Sequence, residues 1–104
     1  DAADNVERAI GCYTAALEVR TWEAYPADWA MTQNSLGLAF KARIRGDAAD
    51  NVERAIGCYT ATLEVYTREA YPADWAMTQN NLAAAYSTRI RGDAADNVER
   101  AMGC

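Results

Sequence analysis

Three cysteines, fifteen carboxylates and ten basic side chains carry the reactive groups of this 104-residue chain, which has no histidine. Without histidine no Ser/His/Asp or Cys/His nucleophile can be assembled, and no imidazole can ligate a metal. The thiols are Cys12, Cys58 and Cys104, which recur at intervals of 46 residues. A helical stack with one thiol per repeat sets them ~10 Å or more apart, beyond the ~7 Å Cα separation a disulfide can span. They are expected to be small core residues, with Cys104 at a broken end where oxidation or an intermolecular bridge becomes possible. Paired-acid hydrolysis needs one carboxyl buried beside another, whereas the carboxylates here are spaced as helix caps and i,i+4 partners. Gly11, Gly57 and Gly103 stand alone rather than in a phosphate-cradling loop. Arg43, Arg45, Arg89 and Arg91 have two readings: cations that complement helix C-termini, or matching positive spots for an acidic peptide. Trp22, Trp29 and Trp75 read as packing residues. The chain is expected not to be an enzyme and to need no cofactor or metal.

The elements that would position these residues follow from composition and repetition. With 51% hydrophobic and 24% charged residues the chain is globular in character, and its net charge of −5 disfavours nucleic acid and anionic membranes as partners. No apolar run approaches the ~20 residues of a membrane span, and the opening Asp-Ala-Ala-Asp is unlike a signal segment, so a cytoplasmic location is expected. The chain lacks an initiator methionine and stops within a pattern at Cys104, which suggests a piece of something longer.

That pattern begins Asp1-Ala-Ala-Asp-Asn-Val-Glu-Arg-Ala-Ile-Gly-Cys12 and returns at Asp47 and Asp93, where Met102 replaces the isoleucine. The units are 1–46, 47–92 and a truncated 93–104, and the first two agree at thirty-seven of forty-six positions. Units copied this closely are expected to stack and bury one another's apolar faces.

Each unit contains two helical patterns. The first opens at Asp4, with Glu7 completing a carboxylate version of the capping box, repeated at Asp50/Glu53 and Asp96/Glu99. Val6, Ile10, Tyr13 and Leu17 form one apolar stripe, and Ala9, Cys12, Ala16 and Val19 a second, predicting burial between two neighbours over residues 4–24. Asp4/Arg8 and Glu64/Arg68 are i,i+4 pairs. Gly11 lies on a polar stripe, where close approach of a neighbouring backbone would account for it. The second pattern starts at Pro26 and Pro72, with Asp28 and Asp74 near the positive helix end. Trp29, Gln33, Leu36, Phe40 and Ile44 share one face, as do Trp75, Gln79, Leu82, Tyr86 and Ile90 in the copy. Gly46 and Gly92 are placed as left-handed caps, making each helix about 20 residues and ~30 Å long.

Leu36-Gly37-x-x-Phe40 followed by Ala55-x-x-x-Tyr59 resembles the tetratricopeptide pattern, with Leu82-Ala83-x-x-Tyr86 and Ala9-x-x-x-Tyr13 as partial matches. The period of 46 exceeds the family's 34, and Gln33 or Gln79 stands where the pattern has tryptophan. The chain also looks like near-identical tandem arrays in large bacterial proteins, which often accompany caspase-like (CHAT) peptidase or nucleoside-triphosphatase signalling domains. The resemblance implies an all-α fold, an α-solenoid of antiparallel helix pairs with a right-handed tetratricopeptide-like superhelix. It further implies a concave face lined by the second helix, where Met31, Asn34, Leu38, Lys41 and Ala42 take the ligand-facing positions, with Met77, Asn80, Ala84, Ser87 and Thr88 as copies. Three of these five pairs differ, against six of the remaining forty-one, so variation concentrates where a groove would be read. Permissive helix surface is the competing reading of that concentration.

The resulting expectation is a non-catalytic interaction scaffold. Asn34 and Asn80 would hold the backbone of a peptide or partner domain, Met31 and Met77 would adapt to it, and Lys41, Ser87 and Thr88 would select. Local or interhelical hydrogen bonds are the alternative role for the two asparagines. Competing functions are a spacer or self-assembling rod, with end-to-end or domain-swapped association of this fragment, and a sensor array for an enzyme domain elsewhere in the parent chain.

Overall fold

The helices form where backbone donors and acceptors are served locally, and the computed structural model describes residues 2–89. In order they are α1 (Ala2–Val19), α2 (Pro26–Ala42), α3 (Ala48–Thr62) and α4 (Pro72–Arg89). The repeat fragment 93–104, with its expected Asp96/Glu99 cap, Gly103 and Cys104, lies outside the described residues, as do Ile90, Arg91 and Gly92.

The start of α3 is set by Asp47, whose carboxylate accepts the Asp50 N–H at 2.9 Å. The expected cap at Asp50 is therefore corrected by three residues. Asp50 lies inside the first turn, near the positive helix end, and Ala48 and Ala49, good helix formers, extend the helix to its true cap. Pro26 opens α2, and Trp29 N–H donates to Tyr25 O at 2.8 Å.

Both helix ends fall short of expectation. The helix with the Asp4 pattern stops at Val19, not residue 24, and the four helices are 15 to 18 residues long. After α1 and α3 the chain turns, and Thr21 and Thr67 hydroxyls accept the Ala24 and Ala70 N–H groups at 3.4 and 3.2 Å. Glu64 and Arg68 lie in the second turn, so their i,i+4 spacing is not on a helix. The α2 helix ends at Ala42 with Arg43 extended, which leaves Ile44 outside the helix and 72% exposed. Gly46, at φ +83°, is not the helix cap but the last loop residue before Asp47, a left-handed position that suits glycine.

Each helix packs on its sequence neighbours and α2 also touches α4; among the described helices α1 reaches only α2. The all-helical result is bundle-like and slab-shaped, 39 × 39 × 18 Å. Its core joins Leu36 and Phe40 of α2, Val52, Ala55, Ile56 and Tyr59 of α3, and Leu82 and Ala85 of α4. Removing such aliphatic and aromatic side chains from water stabilises by about 1.5–3 kcal/mol each.

The helix with two apolar stripes is buried on both only where it has two neighbours. In α3, between α2 and α4, Val52, Ala55, Ile56, Tyr59 and Thr62 are buried; α1, carrying nearly the same sequence, has no buried residue. Cys12 is accordingly exposed rather than a core residue, and Cys58 is half-buried. Gly11 and Gly57 have nothing within 4 Å of a hypothetical Cβ, so the expected backbone approach there is absent. The close approach occurs instead at Gly37, where α3 lays Tyr59 against α2.

Candidate functional site

The ten candidate binding residues separate into one interior residue and nine nearer the surface. Met31, Leu38 and Met77 are 54%, 46% and 43% exposed. Lys41 and Ala42 at the end of α2 are exposed, as are Asn80, Ser87 and Thr88 on α4, and Ala84 is half-buried. Thr88 spends its hydroxyl proton locally on Ala84 O at 3.0 Å. The two methionines occupy equivalent positions on α2 and α4, so one adaptable apolar contact is presented twice.

Asn34 is the exception. It is 6% exposed, and its side-chain oxygen accepts a hydrogen bond from Asn81 Nδ2 at 3.3 Å. Its amide joins α2 to α4 and is not at the surface to hold a peptide backbone, so the expected ladder with Asn80 is not formed. Its burial follows from α2 lying against both α3 and α4, a placement that helix periodicity does not determine.

The arginine cluster is likewise committed within the fold. Arg43 Nε and Nη2 donate to the Glu7 carboxylate at 2.6 and 3.2 Å, and Nη1 donates to Asn51 Oδ1 at 3.3 Å. Asn51 in turn donates to Arg45 O at 2.9 Å. One guanidinium therefore ties α1 to the start of α3 through the loop after α2, with fork geometry suited to a carboxylate. Arg45 pairs with Asp4, and Arg89 Nε pairs with Glu53 at 3.0 Å, repeating Arg43–Glu7 one unit on. Arg54 pairs with Asp50 at i,i+4. The alternative reading of Arg43, Arg45 and Arg89 as positive spots for an acidic peptide is thus disfavoured, because they pair with the chain's own carboxylates. Sequence reading missed the Arg43–Glu7 pair because 36 residues separate its members; its equal spacing in Arg89/Glu53 was the available signal.

Trp22 lies in the turn before α2, and Trp29 and Trp75 lie in the first turns of α2 and α4. Trp22 and Trp29 lie with ring centroids 6.0 Å apart, and in the second unit Arg68 stands 5.8 Å over Trp75. Position 22/68 thus covers position 29/75 with either an aromatic ring or a cation.

An open groove of about 340 Å³ runs between α1 and α2, lined by Asn5, Val6, Ala9 and Tyr13 on one side and Ser35, Leu38 and Ala39 on the other. Its lining is mainly apolar and lacks a convergent set of charged groups. Among the described residues no cluster of three thiols or carboxylates could hold a metal ion, and no helix is long and apolar enough to cross a membrane. Burial pushes the Cys58 thiol up to about 11, and burial with the neighbouring thiol pushes Tyr59 up to about 12. A reactive thiolate is disfavoured in such surroundings.

No protein family, characterised protein or solved structure matches this chain.

Proposed function

We propose that this chain is a non-catalytic interaction scaffold of tetratricopeptide-like character, in which 46-residue units stack as an α-solenoid with a right-handed superhelix. A peptide or partner domain binds the exposed stripe of α2 and α4. The observation that carries this reading is the equivalent exposure of Met31 and Met77, two flexible apolar side chains held outside the core in successive units. Leu38 extends the apolar stripe on α2, while Lys41, Ser87 and Thr88 differ from their counterparts and supply selectivity. Asn80 remains a polar contact on this surface, and Asn34 is reassigned to joining α2 and α4. The chain acts in the cytoplasm, without nucleic acid or membrane as partner.

The test is affinity capture from source-cell lysate with the chain and with a Met31→Lys/Met77→Lys double variant of matched helicity. A partner retained by the chain and lost with the variant supports the stripe. Identical capture by both sinks it.

The competing reading, a self-assembling rod, is favoured by one specific observation: five of the seven residues lining the groove between α1 and α2, Asn5, Val6, Ala9, Tyr13 and Ala39, are copies of residues that α3 and α4 bury elsewhere in the same chain.

A further inference from the structure

The contact that α2 makes with α3 and α4 defines what fits the open groove. On α3, Asn51, Val52, Ala55 and Tyr59 are buried, with exposures of 3%, 9%, 0% and 0%. Their copies in the first unit are Asn5, Val6, Ala9 and Tyr13, which line the groove and are exposed or half-buried. Across the groove, Ser35 and Ala39 are the copies of Asn81 and Ala85. Inside the chain, Asn81 donates to Asn34 of α2, Thr62 of α3 donates to Ala30 O of α2 at 3.4 Å, and Tyr59 lies on Gly37 of α2. The corresponding residues on α4 are Asn80, Ala76 and Ala83. Ala30 is fully buried whereas Ala76 is exposed, and Asn34 is buried whereas Asn80 is exposed. One chain therefore displays both halves of an interface that it also contains in assembled form.

We propose that a second copy of this chain docks its α4 into the groove between α1 and α2, reproducing the seat of α2 on α3 and α4. Asn80 of the incoming copy meets Ser35, and Ala83 meets the Tyr13 ring. The joined surfaces differ, so the association is head-to-tail and open-ended rather than a closed two-fold dimer. Three replacements loosen it relative to the internal contact, the first being Ala16, which lacks the hydroxyl that Thr62 donates to Ala30 O. Ala83 carries the methyl that Gly37 lacks, and Ser35 is shorter than Asn81. The result is a reversible, concentration-dependent chain of copies. This contact shares Leu38 and Asn80 with the partner-binding stripe but does not rest on that reading, because Met31 and Met77, which carry the stripe, do not line the groove.

Analytical ultracentrifugation of the full chain tests the proposal, with circular dichroism as the folding control. The weight-average mass is expected to rise with concentration past that of a dimer. Ala9→Arg, which fills the groove, and Asn80→Arg, which blocks α4, should each weaken association at least tenfold. Mixing the two should restore a 1:1 heterodimer and nothing longer, because each retains one intact half. Asn5→Arg, at an exposed lining position, replaces Ala9→Arg should the latter fail to fold. Ser35→Asn restores the amide and should tighten association several-fold. A monomer at every concentration overturns the proposal. Association that survives both arginine variants, a mixture without heterodimer, or Ser35→Asn without effect also overturns it. A lost lysate partner with self-association intact would instead fall on the stripe reading alone.

Discussion

A Cβ on Gly37 would lie 2.6 Å from Cε1 of Tyr59, so α2 and α3 approach so closely that any larger residue at position 37 must displace the tyrosine ring. Gly37→Ala is expected to lower stability by about 1–3 kcal/mol through overpacking, partly offset by the gain of about 1 kcal/mol in helix propensity. Urea denaturation of the two proteins checks this, and an unchanged midpoint would show that the tyrosine ring yields without cost.

Tyr59 is fully buried and its hydroxyl has no hydrogen-bond partner among the described residues. An unpaired buried hydroxyl costs about 1–3 kcal/mol. Tyr59→Phe keeps the ring and removes that group, and is expected to raise the urea midpoint. A destabilised variant would reveal a hydrogen bond made by that hydroxyl in solution.

The raised Cys58 and Tyr59 pKa values bear on alkaline stability. Unfolding returns each group to its lower ordinary value, so above about pH 9 the unfolded chain holds fewer protons than the folded one. Their stabilising contribution is complete below about pH 9 and is lost as pH rises through about 11 for Cys58 and about 12 for Tyr59. Urea midpoints should fall across this range, less steeply in Tyr59→Phe. At pH 8 a maleimide should label exposed Cys12 before half-buried Cys58, read by peptide mass spectrometry.

Glu7 and Arg43 are 30% and 24% exposed at their side chains and share two hydrogen bonds, whereas Asp4 and Arg45 are each 50% exposed. Double-mutant cycles with Glu7→Gln/Arg43→Met and Asp4→Asn/Arg45→Met should give a coupling of about 1 kcal/mol for the first pair and a few tenths for the second. Equal couplings would show that solvent screens both alike.

Trp29 and Trp75 accept different neighbours at the same turn, Trp22 in one unit and Arg68 in the other. Trp22→Arg should therefore change stability by about 0.5 kcal/mol or less, as is usual for surface replacements that retain a contact. Chemical denaturation monitored by circular dichroism measures it, and a larger loss would mark Trp22 as a packing residue rather than a cover for Trp29.

The helical elements were legible because their signals are local. Pro26 and Pro72 begin helices, and the stripes through Val52, Ile56 and Tyr59 and through Leu36 and Phe40 face the core. Helix ends were less legible: Asp47 and Asp50 offer the same capping chemistry three residues apart, and only the backbone geometry of Asp47 selects between them. Of the candidate site, the resemblance rather than spacing supplied the ten positions; Met31 and Met77 are exposed, whereas Asn34 is buried where α2 meets α4 and accepts from Asn81, 47 residues away.

Residues 1–15 and 47–61 are identical, and that identity by itself determined that both would be amphipathic helices with the same apolar stripes. Burial was decided by tertiary structure. Tyr59 is fully enclosed and Asn51 nearly so, while Tyr13 is half-buried and Asn5 exposed. A residue's place in the sequence sets which face of a helix it shares, but water is removed from that face only by neighbours: among the described helices α3 has one on each side, and α1 has only α2.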